Sequence, residues 1–130
     1  VDVSEQDGPL WERQRAGQRS ADQAVVRVAA APGRLDEVLR AADACAGTLV
    51  GRVALGSSYI SLDPAAVEAL REQLSSLGGH AVLLDTPPGD RTDADHWGPV
   101  SAPALEIMQR IKQRFDPTST CNPGLFVGGI

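Results

Sequence analysis

Apolar residues along this chain alternate between two periods, and each change of period predicts a boundary between elements. Ala24-Val25-Val26-Arg27-Val28-Ala29-Ala30 is rich in β-branched residues and predicts a strand. Pro32-Gly33 then supplies a turn. From Leu35 the apolar positions Leu35, Val38, Leu39, Ala42 and Cys45 fall at helical spacing, with Gly47 as the stop. Thr48 to Leu55 returns to strand character, and Ser58 to Leu62 continues it after Gly56-Ser57. The pair predicts a hairpin with Gly56 in its turn. Asp63-Pro64 is a helix start, an N-cap carboxylate followed by proline in the first turn. The stripe of that helix is Val67, Leu70, Leu74 and Leu77, and Gly78-Gly79 ends it. His80 to Asp85 predicts a further strand.

The order β-α-β-β-α-β predicts an α+β fold, the ferredoxin-like split βαβ sandwich, with an antiparallel sheet and its helices on one face. The other sheet face then needs a cover, or it is the working surface. Thr86 to Pro99 carries Pro87, Pro88, Gly89, Gly98 and Pro99 among the charges Asp90, Arg91, Asp93 and Asp95, and reads as an exposed loop. Ser101 can cap a C-terminal helix that places Leu105, Met108, Ile111 and Phe115 on one face, and Asp116-Pro117 stops it. The turn Cys121-Asn122-Pro123-Gly124 and an apolar end, Leu125 to Ile130, form an extended tail. Residues 1 to 23 are polar around one amphipathic patch at Leu10 and Trp11, which suits a short helix leading in from something upstream. Residues 1–130 are expected to form a single domain.

Composition narrows the function. Hydrophobic residues make up 42 % and aromatics 4 %, so the core must be built from Leu, Val, Ile and Ala. A net charge of −5 argues against nucleic acid and against an anionic membrane surface as partners. No apolar stretch approaches the ~20 residues of a membrane span, so direct membrane insertion is not expected. Cys45 and Cys121 form no CxxC and join no zinc-spaced cluster, which reads as two reduced thiols in a cytoplasmic protein. Asp90, Asp93 and Asp95 lack the fixed glycine and closing glutamate of an EF-hand and read as a solvated acidic loop. His80, at a strand start, reads as structural, and His96 packs beside Trp97. Neither joins a nucleophile–base arrangement, so no catalytic residue is identified. No G-x-G-x-x-G and no P-loop occurs. The only methionine is Met108, so the N-terminus is expected to be either processed or cut from a longer product.

The most specific feature is the C-terminal stretch. Ile111-Lys112-Gln113-Arg114-Phe115-Asp116-Pro117 is followed by Asn122-Pro123-Gly124, preceded by Asp95-His96-Trp97-Gly98-Pro99, and ended by Phe126-Val127-Gly128-Gly129-Ile130. Taken singly, Asp-Pro and Asn-Pro-Gly only stop a helix and make a turn. Together and in order, they resemble the C-terminal domain of FAD-linked oxidases of the vanillyl-alcohol oxidase superfamily, and within it the FAD-binding subunit of bacterial glycolate oxidase. The resemblance implies a C-terminal domain that lays its sheet over a flavin and shapes a 2-hydroxy acid site. It also implies FAD in the full-length protein, held mainly by an N-terminal FAD-binding domain of the same chain, with none bound to this fragment. The implied partners are that domain, a catalytic flavin subunit and an iron-sulfur subunit, through which a cytoplasmic protein is membrane-associated. Asn122, in the tail that lies near the flavin in such proteins, becomes the candidate cofactor contact.

The hairpin departs from the resemblance. Related 2-hydroxy acid dehydrogenases carry a GHxGDGNxH-like run there, whose histidines serve a metal and a substrate carboxylate. Here Gly51 and Gly56 remain, but Arg52 and Tyr59 stand where histidines fall and Leu55 where the aspartate falls. A guanidinium has no free lone pair, so no metal site is expected. Arg52 and Tyr59 become candidate substrate contacts, since an arginine fork matches a carboxylate. An exposed strand arginine is the equal alternative for Arg52. The rival to the whole picture is a stand-alone ferredoxin-like module that binds a small molecule and dimerises.

Overall fold

In the computed structural model of the chain, which describes residues 7–16, 20–88 and 95–130, a short helix α1 (Gly8–Ala16) precedes the sheet-forming region. The order that follows is β1 (Ala24–Ala29), α2 (Leu35–Ala44), β2 (Thr48–Arg52), β3 (Ser57–Leu62), α3 (Val67–Ser75) and β4 (His80–Asp85). A last helix, α4 (Ala102–Phe115), comes after the loop. The contacts divide the chain into two compact units, Val1–Asp95 and His96–Ile130.

The first unit holds a four-stranded sheet of order β2-β3-β1-β4. Every neighbouring pair is antiparallel. This is the ferredoxin-like arrangement that the order of elements predicts. Alternation decides what is buried. Ala24, Val26 and Val28 of β1, Ile60 and Leu62 of β3, and Ala81 and Leu83 of β4 point to one side. There they meet Val38, Ala41, Ala42 and Cys45 of the α2 segment and Val67, Leu70 and Leu74 of α3. Leu70 and Leu74 are fully buried, a burial worth about 1.5–3 kcal/mol for each side chain.

Several local details differ from the sequence reading. Strand β2 stops at Arg52, and Val53–Leu55 forms a 3-10 turn in place of the strand expected to run to Leu55. Gly56 then takes φ +61, and a Cβ there would lie 2.0 Å from the carbonyl oxygen of Ala30. The close approach is a bonded one, because Ala30 N donates to Gly56 O at 2.9 Å. Helix α2 ends with the left-handed residue at Ala46, φ +50, one position before the glycine expected to do so. Gly47 serves closeness instead, since a Cβ there would stand 2.8 Å from Cγ2 of Ile60. Asp63 caps as expected, its Oδ1 accepting from Ala65 N at 2.8 Å, and a 3-10 turn Pro64–Ala66 leads into α3. Ser101 stands at the start of α4, but its hydroxyl makes no capping bond; its carbonyl accepts from Leu105 N at 3.0 Å.

Arg71 lies outside the expected apolar stripe, yet its side chain is buried. Its Nη1 pairs with Glu68 at 2.6 Å, its Nε donates to Ala81 O at 3.4 Å and its Nη2 donates to Asp95 O at 2.7 Å. The guanidinium thus ties α3 to β4 and to the backbone that closes the loop.

Two substitutions test the backbone reading by chemical denaturation. Ala46→Gly is expected to stabilise by about 0.5–1 kcal/mol, because the left-handed strain of alanine exceeds the unfolded-state freedom that glycine adds. Gly56→Ala is expected to destabilise by more than about 2 kcal/mol, since it combines a positive φ with a collision against fixed backbone. Equal stability of Gly56→Ala and the wild type would contradict the assigned turn.

Candidate functional site

The residues that alternate with the core set line the sheet face turned away from α2 and α3. The register sets them in rows across the strands. One row is Val50, Tyr59, Arg27 and Val82, and the next is Arg52, Ser57, Ala29 and His80. Arg52 and Tyr59, named from the sequence at opposite ends of a hairpin, therefore share one face and are diagonal neighbours. Arg27 was not singled out from the sequence, yet it stands directly opposite Tyr59. The signal that could have found it is a lone charge inside an otherwise apolar strand.

Arg27, Arg52 and His80 are exposed, whereas Val50, Tyr59 and Val82 are partly buried. Neither Arg27 nor Arg52 pairs with a carboxylate of the described residues. The arginines of the helical side behave otherwise. Arg34 pairs with Glu37 at 2.8 Å, Arg40 pairs with Asp36, and Arg71 pairs with Glu68. The sheet face thus carries cationic forks beside an aromatic ring, a combination suited to an oxyanion with a flat or apolar body. His80 opens this face at the start of β4, so the structural role read for it is not that of a core residue. Among the described residues no group of three or more His, Cys, Asp and Glu side chains could hold a metal ion. Both cysteines are free thiols, Cys45 buried and Cys121 exposed.

The second unit shows what the C-terminal motif does. Helix α4 ends at Asp116, whose carboxylate is almost fully buried. Its Oδ1 accepts from Thr120 N at 2.9 Å and Thr120 Oγ1 at 3.0 Å, and its Oδ2 accepts from Cys121 N at 2.9 Å. Lys112 Nζ lies 2.7 Å from Oδ2 and also donates to Cys121 O at 2.5 Å. Lys112 first, and then the Cys121 and Thr120 amides, hold the Asp116 carboxyl well below the usual carboxylate range, against a smaller opposing effect of burial. The quoted segments on either side also meet. The Trp97 ring stands edge-on to Phe126 at 4.7 Å, and Trp97 Nε1 donates to Leu125 O at 3.1 Å. Asn122 is exposed and left-handed, φ +46, a conformation asparagine tolerates better than most residues. Of Asp90, Asp93 and Asp95, the first two lie outside the described residues.

No protein-family model, curated protein or solved structure matches this chain. Among the described residues no helix is long and apolar enough to cross a membrane.

Asp116→Asn is expected to loosen the 116–121 turn while leaving the sheet intact. Amide exchange should accelerate at Thr120 and Cys121 and stay unchanged in β1 and β3. The sign with pH follows from the lowered folded-state value. The contribution of Asp116 is complete above the ordinary carboxylate range, and it is lost only as pH falls through the depressed folded-state value. Thr120 and Cys121 protection that disappears between pH 6 and pH 5 would contradict this.

Proposed function

We propose that this chain is the C-terminal domain of an FAD-dependent oxidoreductase of the glycolate oxidase type. The sheet face turned away from α2 and α3 covers the flavin and helps form the site of a 2-hydroxy acid. The observation that carries the reading is that face itself, with Tyr59 between two arginines that no described carboxylate neutralises. The resemblance of the C-terminal segments to that family lends it support.

The residues fit one end of the cofactor and not the other. A sheet face with an aromatic ring and guanidinium forks suits a flat ring system and a substrate carboxylate. The helix starts of the sheet-forming region suit the pyrophosphate of a dinucleotide poorly, because they carry carboxylates, Asp36 and Glu37 on α2 and Asp63 and Glu68 at α3. The N-terminal FAD-binding domain therefore holds the dinucleotide in this reading. When bound, the flavin supplies the hydride acceptor. Arg52 contributes to binding the substrate carboxylate, Tyr59 offers a hydroxyl to the bound acid, and the sheet excludes water from the ring. Asn122 offers an amide that can both donate to and accept from the cofactor. A catalytic flavin subunit and an iron-sulfur subunit complete the proposed assembly.

The competing reading is a ferredoxin-like regulatory module. Strands β2 and β4 form the two sheet edges, through which a second copy could add. The readings separate when the chain is produced with and without its upstream sequence. The 130-residue chain is expected to be colourless, and the extended protein is expected to carry stoichiometric flavin that a 2-hydroxy acid reduces. In the extended enzyme, Arg52→Ala should raise KM by roughly tenfold or more, as loss of a charge-assisted bond implies. Arg52→Lys should recover part of that. An extended protein that carries no flavin would remove the oxidoreductase reading.

A further inference from the structure

We infer that Arg27 is the residue that fixes the oxyanion on this sheet face, with Tyr59 supporting the body of the ligand and Arg52 acting at the rim. The inference rests on the oxidoreductase reading only for the identity of the ligand, a 2-hydroxy acid bound through its carboxylate.

The first ground is charge left over. The chain is acidic as a whole, and the arginines of its helical side are matched to Glu37, Asp36 and Glu68. Arg27 sits within the same unit and forms no ion pair with a described carboxylate, although Asp85 stands opposite Val25 in the adjacent row of this face. Its cross-strand partners on this face are Tyr59 on one side and Val82 on the other. A guanidinium held between an aromatic and an aliphatic neighbour has little competition for its donors, and a planar carboxylate can take two of them at once.

The second ground is rigidity. Strand β1 is an inner strand, paired with β3 and β4, so the Arg27 backbone is held by ladders on both sides. Strand β2 is an edge strand, and Arg52 is its last residue, next to the turn Val53–Leu55. A recognition group on a fixed element holds its geometry better than one at a strand terminus beside a turn. Arg27 is therefore better placed to set affinity, whereas Arg52 can adjust to different ligands.

The third ground is the strand itself. Val25, Val26 and Val28 around Arg27 are buried, so the strand has apolar choices at every other position. A bland role remains for comparison: an arginine whose methylenes cover the sheet while its head stays solvated. That role predicts no ligand-dependent change at the Arg27 side chain.

The experiment is an NMR titration of the 130-residue chain, observing the arginine Nε–H resonances, with glycolate in one arm and inorganic phosphate in the other at matched ionic strength. Glycolate is expected to shift the Arg27 resonance saturably and more strongly than that of Arg52. Arg27→Gln should abolish saturable binding and Arg40→Gln should leave it unchanged. In the extended flavoprotein, Arg27→Gln should raise KM for glycolate at least tenfold, with a smaller change in kcat. Arg27→Lys should recover part of the loss, and Arg52→Gln should have the smaller effect. An Arg27 resonance that does not move, or that saturates with phosphate alone, overturns the inference. A larger KM change in Arg52→Gln than in Arg27→Gln does the same. If the glycolate titration succeeds and the extended protein shows no glycolate oxidation, the oxidoreductase reading falls and the Arg27 anion site stands.

Discussion

The structure of the first unit depends on the parity of strand β1. Its even-numbered residues Ala24, Val26 and Val28 enter the core, and this places Arg27 on the opposite face. A slip of one residue would drive the guanidinium under α2 and α3 and turn two valines outward, at a cost no local contact could offset. Because β1 pairs on both sides, the same parity is passed to β3 and β4. Ile60 and Leu62 go inward with Tyr59 outward, and Ala81 and Leu83 go inward with Val82 outward. The packing of the core and the composition of the opposite face are thus one constraint seen from two sides.

The helical side and the sheet side handle charge differently. Around α2, arginines and carboxylates sit three or four residues apart and pair with each other, as in Arg34–Glu37 and Arg40–Asp36. Such exposed pairs contribute little to stability. Arg71 goes further, because its buried head satisfies backbone carbonyls at Ala81 and Asp95 as well as Glu68. On the sheet face, Arg27 and Arg52 form no ion pair with a described carboxylate.

The tail shows what local architecture the C-terminal sequence pattern specifies. The aspartate of the Phe-Asp-Pro stop does more than end α4. It gathers the Thr120 and Cys121 amides and the Lys112 ammonium around one carboxylate and folds the next turn back on the helix. The lysine four residues earlier in the quoted run is the counter-ion. Trp97 and Phe126, quoted from opposite ends of the unit, are ring neighbours. The co-occurrence of these segments therefore has a packing reason, independent of any flavin.

Much of this was legible in the one-dimensional pattern. The switch between periods two and 3.6 is set by where side chains must point to escape water, so element order, core stripes and the Asp63 cap could be read directly. The ferredoxin-like sheet followed from that order, because short connections leave few ways to pair four strands. Other features were not legible, because they depend on atoms distant in sequence. Ala46, and not Gly47, takes the left-handed turn because Gly47 must let Ile60 approach. Strand β2 gives way at Val53 to a 3-10 turn that delivers the Gly56 carbonyl to the Ala30 amide. Arg71 is buried because Ala81 and Asp95 bring carbonyls to it. By itself the sequence determined which residues are apolar, which can cap and which can turn. Only the tertiary structure decided that Arg27 and Tyr59 stand side by side, because strand register is set by pairing across the sheet.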